Sequence, residues 1–186
     1  MSVTFDFERL DRAERLLAHL PGALHKALPR VMNRALTGGR AAVAKHIRRL
    51  YRVLSRNVKA TMEIHRATRG QLRAAVVSRG QRIPLFAFGA KPDQPGTGGP
   101  GKPALRVTVR KRGGKKPVAG AFVASAGWVA RRKGKERTPL APLFGPAIPQ
   151  MLANPEIVTI FNETAQTRLD DRLDHEIDWA VKKADR

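Results

Sequence analysis

The chain has 186 residues, and its 36 Lys and Arg against 15 Asp and Glu give a formal net charge of +21. Such a charge opposes compaction by self-repulsion and attracts polyanions, and the length suits one domain with extensions. Cysteine is absent, which excludes disulfides, thiolate metal ligands and cysteine nucleophiles. No run of residues is apolar enough for a membrane span and the start lacks a signal-peptide pattern, so we expect a soluble intracellular product, or one assembled inside a cell.

The N-terminal part, residues 1–58, has apolar residues at helical spacing. The simplest account is a long helix over about 22–54, which Pro29 could kink or restart and which Gly38-Gly39 would weaken. Ser55-Arg56-Asn57 is predicted to end this helix.

The central part, residues 59–137, changes to the alternating pattern of strands. Two strands are predicted around a turn at Gly70, with further strands at 84–88, 105–110, 121–124 and 128–131. Together they predict a small antiparallel sheet with one solvated, basic side. The segment 89–103 has nine Gly or Pro in fifteen residues, which predicts a flexible loop.

The C-terminal part, residues 138–186, begins with a Pro-rich turn and continues as a predicted helix over 155–183. Asn154 can cap this helix, and Pro155 suits its first position. Apolar residues recur every four positions along one stripe. Because the helix is longer than the sheet could cover, part of the stripe is expected to pack against a neighbouring subunit. The subunit-interface candidates are Ile157, Phe161, Leu169, Leu173, Ile177 and Val181.

The charge is uneven along the chain. Residues 156–186 have a net charge of −3 and residues 1–155 a net charge of +24, and 102–137 has twelve bases and one acid. This asymmetry predicts one surface for a polyanion and another for protein, although a solvated basic face is the simpler alternative. The DNA-contact candidates lie in a basic hairpin tip and a second basic loop. They are Lys111, Arg112, Lys115, Lys116, Arg131, Arg132, Lys133 and Lys135.

No arrangement of residues indicates catalysis. The five histidines are scattered, and Asp170, Asp171 and Asp174 lie beside arginines on one helix, where pairing within the helix is the better explanation. The run Gly96–Lys102 resembles a phosphate-binding loop, but Pro103 and a strand follow it instead of a helix. We therefore predict a non-enzymatic protein with no metal and no cofactor.

Three segments together resemble a known family: Ile-Pro-Leu-Phe-Ala-Phe-Gly-Ala-Lys-Pro at 83–92, Gly-Ala-Phe-Val-Ala at 120–124, and Arg137 to Leu152. The last contains the most specific motif, Gly145-Pro146-Ala147-Ile148-Pro149. In these segments and in the order of its parts, the chain is similar to the prophage minor tail protein Z family, the tail completion proteins of long-tailed bacteriophages. The motif residues Gly145, Pro146, Ile148 and Pro149 are expected to form a rigid turn before the last helix.

The resemblance implies an α+β fold in which long N-terminal and C-terminal helices pack on a small antiparallel β-sheet with a basic hairpin. It implies a structural virion protein at the head-proximal end of the tail, assembled in the host cytoplasm. The expected partners are further copies in a ring (a hexamer by tail symmetry), tail-terminator, tail-tube or connector proteins, and genome DNA in the channel. The alternative from charge alone is a sequence-independent nucleic-acid-binding protein of nucleoid or ribosomal type.

Overall fold

The computed structural model describes residues 23–97, 101–124 and 128–184. The predicted helical residues before Ala23 lie outside this range. The described chain is an α+β fold with a long helix towards each end and short antiparallel strands between them, which confirms the predicted fold class. Two compact units interleave along the chain: unit 1 comprises the described residues of 1–44, 59–78 and 152–186, and unit 2 those of 45–58 and 79–151. The prediction of a single domain remains a prediction.

The first long helix, α1, is Ala23–Leu50, and it continues past both Pro29 and Gly38-Gly39. It ends four residues before the predicted end. Ser55-Arg56-Asn57 does not end this helix, because Ser55–Ala60 forms a separate short helix, α2. Val58 anchors α2 with a completely buried side chain.

The second long helix, α4, is Pro155–Ala184, close to the predicted 155–183. The side-chain oxygen of Asn154 accepts a hydrogen bond from the backbone N–H of Glu156 at 3.2 Å, and the Asn154 carbonyl accepts from Ile157 and Val158. The N–H groups of Glu156 and Ile157 have no i−4 partner inside the helix, and the bond to Val158 is the first i→i−4 bond, so the predicted cap is confirmed.

Within unit 1, α1 and α4 approach closely where α1 has two glycines in succession. A Cβ on Gly39 would lie 2.8 Å from the Phe161 ring, and one on Gly38 would lie 2.1 Å from Cδ of Arg168. The two glycines therefore admit α4 side chains against the α1 backbone, which explains why residues of poor helix propensity occupy the middle of α1.

The apolar stripe of α4 is buried inside the same chain. Ile157 and Phe161 have no exposed surface, and Leu169, Leu173 and Ile177 are at most 8% exposed. No neighbouring subunit is needed to cover these five side chains, contrary to the expectation that this stripe packs against another copy. An aspartate at Leu169 or Leu173 would enter the core of unit 1 itself. The side chain of Val181 lies outside what the structure describes.

A two-stranded hairpin completes unit 1. Strands β1, Met62–His65, and β2, Ala75–Ser78, pair antiparallel as predicted around Gly70. The loop between them is held to α1 by Asn33, whose amide donates to the Ala67 carbonyl at 3.0 Å and whose side-chain oxygen accepts from the Ala67 N–H at 2.9 Å.

The strands of unit 2 form three small sheets, so with β1–β2 the described strands form four sheets and not one. Strand β7 pairs with β6 and β8, β4 pairs with β5, and β3 pairs with β9, all antiparallel. Every strand has four residues or fewer, because prolines and turns interrupt the segment too often for a continuous sheet. The bounds are β3 Arg82–Pro84, β4 Arg106–Val107, β5 Lys116–Pro117, β6 Ala121–Val123, β7 Val129–Arg132, β8 Leu140–Pro142 and β9 Phe144–Ala147. A short helix, α3, Ile148–Leu152, follows β9.

The strand predicted at 84–88 is wrong beyond its first residue, because Leu85–Phe88 is a 3₁₀-helix. Three residues per turn place Leu85 and Phe88 on one side, and both are buried. The turn ends at Gly89, whose φ of +69° is one that residues with a Cβ rarely adopt.

The Gly/Pro-rich segment contains no helix or named strand in its described residues, 89–97 and 101–103. It is nevertheless hydrogen-bonded to other parts of unit 2. The backbones of Lys91 and Arg106 exchange hydrogen bonds of 2.9 and 2.8 Å, and Val123 bonds to both Gly96 and Thr97. Its flexibility remains a prediction.

Candidate nucleic-acid interface

The basic residues are concentrated in unit 2. Its sequence contains 20 Lys and Arg but only two carboxylates, Asp93 and Glu136, for a net charge of +18. The rest of the chain has 16 bases and 13 acids. The charge asymmetry that the sequence shows between its ends therefore becomes a contrast between two compact units.

The first basic tip joins β4 to β5 and displays four of the predicted DNA contacts. Lys111, Arg112, Lys115 and Lys116 are all exposed. Gly113 and Gly114 turn the chain between them with φ values of +106° and +66°, which glycine adopts without steric cost. Lys111, Arg112 and Lys115 thus lie at a tight turn, as predicted, whereas Lys116 is the first residue of β5 and pairs with Val107.

The second basic group spans the β7–β8 hairpin. Arg131 and Arg132 belong to β7 and are not loop residues as predicted, because they pair with Ala141 and Leu140. Lys133 and Lys135 lie in the connection, and all four side chains are exposed. The Arg132 guanidinium lies 6.0 Å from the centre of the Phe122 ring, a cation–π contact that holds it against the sheet.

Sequence reasoning missed a further set of basic residues, because it treated 102–137 as a separate basic segment. Bases from the end of α1, from α2 and from the chain around β3 belong to the same unit. These are Lys45, Arg48, Arg49, Arg52, Arg56, Arg79, Arg82 and Lys91. No local pattern could have identified them, since only tertiary structure brings them into unit 2.

One of the two carboxylates of unit 2 is already paired. The ammonium group of Lys91 donates a hydrogen bond to the carboxylate of Asp93 and forms an ion pair with it. This hydrogen bond, together with one from the backbone, holds the pKa of the Asp93 carboxyl below its usual range. Asp93 therefore stays ionised and neutralises Lys91, which leaves Glu136 as the one other carboxylate in the sequence of unit 2 to oppose its remaining bases.

Unit 1 offers a different surface, a groove of about 1130 Å³ between α1 and α4. Both signs of charge line it, with Arg34, Arg168 and Arg172 opposing Glu163 and Asp171. A surface of mixed charge neither attracts nor repels a polyanion strongly. This groove is therefore not a second nucleic-acid candidate.

The acids of α4 form no arrangement that indicates chemistry. Asp170 accepts a hydrogen bond from Gln166 at 3.1 Å, one turn earlier on the same helix. Within residues 23–97, 101–124 and 128–184, no group of three His, Asp or Glu could hold a metal ion.

The segments 83–89 and 145–149 meet inside unit 2. Strand β9 pairs with β3, and the Leu85 N–H donates to the Leu143 carbonyl at 2.9 Å. A Cβ on Gly145 would lie 2.4 Å from the buried Phe88 ring, so glycine is required there for the strand to lie against this ring. The segment 145–149 is thus the end of a strand and the start of α3, and not the rigid turn expected.

The sequence matches the family model for prophage minor tail protein Z over residues 8–186. The chain belongs to this family. No curated protein and no solved structure matches the chain.

Membership in the minor tail protein Z family makes the chain a minor tail protein of a bacteriophage, a structural component of the virion. This membership confirms the resemblance, and two of the three segments that carry it, 83–92 and 137–152, meet in the structure through β3, Phe88 and β9. Among the described residues no helix combines the length and the apolar character needed to cross a bilayer.

Proposed function

We propose that this minor tail protein acts at the head-proximal end of the tail, where a ring of copies helps join the head to the tail and lets the genome pass. The observation that carries the proposal is the accumulation of 20 bases against two acids in unit 2 of a phage tail protein. Such a surface is expected where a tail component meets the genome.

The positions of the charges suit DNA that has to move. The tip residues Lys111, Arg112, Lys115 and Lys116 are exposed and lie in a turn or, for Lys116, directly after it, where they can reach phosphates without entering a groove. Contacts to phosphates carry no sequence information and allow a protein to slide along DNA. A ring of such tips would reduce phosphate repulsion in the channel and leave the genome free to be ejected.

A ring requires contacts between copies, and heterologous contacts close into rings when the rotation permits. We expect six copies from the symmetry of tails, with tail-terminator, tail-tube or connector proteins as neighbours. Because α4 already buries its stripe inside the chain, the ring contacts have to use other surfaces. Among the described residues, the large apolar side chains that are about half exposed are Leu54, Phe144 and Trp179.

The test removes the four charges of the first tip by changing Lys111, Arg112, Lys115 and Lys116 to Gln in the phage genome. As a matched control, the exposed unit 1 residues Lys59, Arg66, Arg69 and Arg73 are changed to Gln. Both variants lose four positive charges, so a difference between them reports position and not net charge.

For the tip variant we expect assembled tails that join heads but retain or release DNA poorly, and for the control near-normal infectivity. Tails that fail to join heads would instead show that the tip docks on protein. Normal infectivity of the tip variant would contradict both roles. A protein that binds DNA in the host but is absent from particles would favour the nucleoid-type alternative.

A further inference from the structure

We propose that unit 2 carries a second phosphate-binding surface for duplex DNA, the helix-end patch, formed by Arg48, Arg49, Arg52 and Arg110. This inference rests on the proposed function in one respect, which is that the polyanion bound is DNA. The patch combines the end of α1 with the segment that leads from β4 to the first basic tip. The patch cannot be recognised from the sequence alone, because Arg52 and Arg110 are almost sixty positions apart.

Backbone pairing joins the two halves of the patch. The Arg52 N–H donates to the Val109 carbonyl at 3.1 Å, and the Lys111 N–H donates to the Leu50 carbonyl at 2.8 Å. Between these bonds, Tyr51 and Arg110 form an antiparallel bridge. Residues opposite each other in such a bridge have Cα atoms about 5 Å apart, so the end of α1 lies directly beside the base of the tip.

Packing holds two of the four guanidinium groups in place. The Arg110 guanidinium lies 5.6 Å from the centre of the Tyr51 ring, and this ring is only 5% exposed. The Arg52 guanidinium lies over Gly89, where a Cβ would approach its Cζ to 2.4 Å. Both arginines nevertheless remain exposed. Side chains that are already ordered lose less conformational entropy when they bind phosphate.

Capping of the helix end does not account for the patch. Arg48 and Arg49 lie in the last turn of α1, where positive charge stabilises the helix dipole. Arg52 and Arg110 lie beyond the helix, and the carbonyl of Leu50 already accepts from Lys111. The only carboxylates of unit 2 are Asp93, paired with Lys91, and Glu136 in the other hairpin.

The chemistry favours a duplex over a single strand. Proteins that bind single strands stack bases on exposed aromatic rings. Tyr51 is buried under Arg110, so its face is not available to a base. Four exposed guanidinium groups beside a basic tip instead suit the repeated phosphates of a duplex backbone, without sequence preference.

The test measures binding of the purified full-length chain to a mixed-sequence 30-base-pair duplex by fluorescence anisotropy across a salt series. The patch variant is R49Q/R52Q/R110Q, and the matched control is R66Q/R69Q/R73Q, which removes three exposed charges from unit 1. We expect the slope of log K against log salt to become less negative by about 3 in the patch variant, with affinity on the order of 100-fold lower at 0.1 M salt. The control is expected to leave the slope unchanged.

Two further variants keep the test decisive if R49Q/R52Q/R110Q unfolds. R49K/R52K/R110K retains the charges and should retain the slope, and R49Q alone changes one exposed helix residue and should make the slope less negative by about 1. If the patch variants behave as the unit 1 control does, the helix-end patch is refuted while DNA binding by unit 2 stands. If the wild-type chain does not bind the duplex at all, the proposed contact with DNA fails as well.

Discussion

Units 1 and 2 differ in the elements from which they are built and in the net charge that they carry. Unit 1 is built from the two long helices, packed through Gly38, Gly39 and the Phe161 stripe, and its charge is nearly balanced. Unit 2 is built from strands of four residues or fewer and carries a net charge of +18. The regular helix packing therefore belongs to unit 1 and the high density of positive charge to unit 2, although segments of the two units alternate along the chain.

The difference shows how a small tail protein tolerates a charge of this size. Like charges in a compact unit repel one another and lower its stability. In unit 2 the basic side chains of the tips point into solvent, where water and salt screen them. In unit 1 the bases and acids nearly cancel, so its helices pack with less of this penalty.

The largest effect is expected in unit 1, from Phe161→Ala. Phe161 is fully buried against Gly39, so its truncation removes apolar contacts and leaves a cavity. We expect the free energy of unfolding to fall by about 3–5 kcal/mol, measured by denaturant titration. Thr159→Ala, at an exposed position of the same helix, should change it by less than about 0.5 kcal/mol. Equal losses in both variants would refute the packing described.

Substitutions at the two adjacent glycines of α1 are expected to change stability less, but they test the close approach of α4 to α1 more specifically. Gly39→Ala places a methyl group against the buried Phe161 ring and should destabilise the chain by about 1–3 kcal/mol. Gly38→Ala meets only the flexible side chain of Arg168, which can move, so the gain in helix propensity of about 1 kcal/mol should dominate. Thermal unfolding of the two variants should therefore shift in opposite directions. A shift of the same sign and size in both would contradict the close approach at Gly39.

The smallest effect on stability is expected from the charges of unit 2. Changing Lys111, Arg112, Lys115 and Lys116 to Gln removes exposed side chains that repel one another, so stability should stay within about 0.5 kcal/mol or rise slightly at low salt. Thermal unfolding at two salt concentrations checks this expectation. A large loss of stability would mean that these residues support the fold, and the infectivity experiment could not then be read as a loss of DNA contact.

Local signals in the sequence account for the elements that were predicted correctly. The Asn154-Pro155 cap and the four-residue period of apolar residues define α4 within a few positions of its observed ends. The strand at 84–88 was wrong because an apolar run of five residues fits a strand and a 3₁₀-helix equally well. Burial of Leu85 and Phe88 on the same side decides between them, and that is a tertiary property.

For surfaces, too, local sequence signals can be predicted and tertiary properties cannot. The first basic tip could be predicted because Lys, Arg and Gly are contiguous there. An apolar stripe, in contrast, does not reveal whether its own chain or a neighbour covers it. The sequence signal for a close helix contact is Gly38-Gly39, but helix propensity alone predicts only a weaker helix there. The helix-end patch had no local signal, because it depends on the pairing of Tyr51 with Arg110.

The central claim, that this minor tail protein surrounds the DNA path at the neck, is tested most directly by imaging purified phage particles at a resolution that traces the chain. The account predicts a ring of copies at the head-proximal end of the tail, with the tip residues Lys111, Arg112, Lys115 and Lys116 and the helix-end patch facing the channel. Copies at the distal end of the tail, or a ring whose unit 2 faces outward while unit 1 lines the channel, would contradict it.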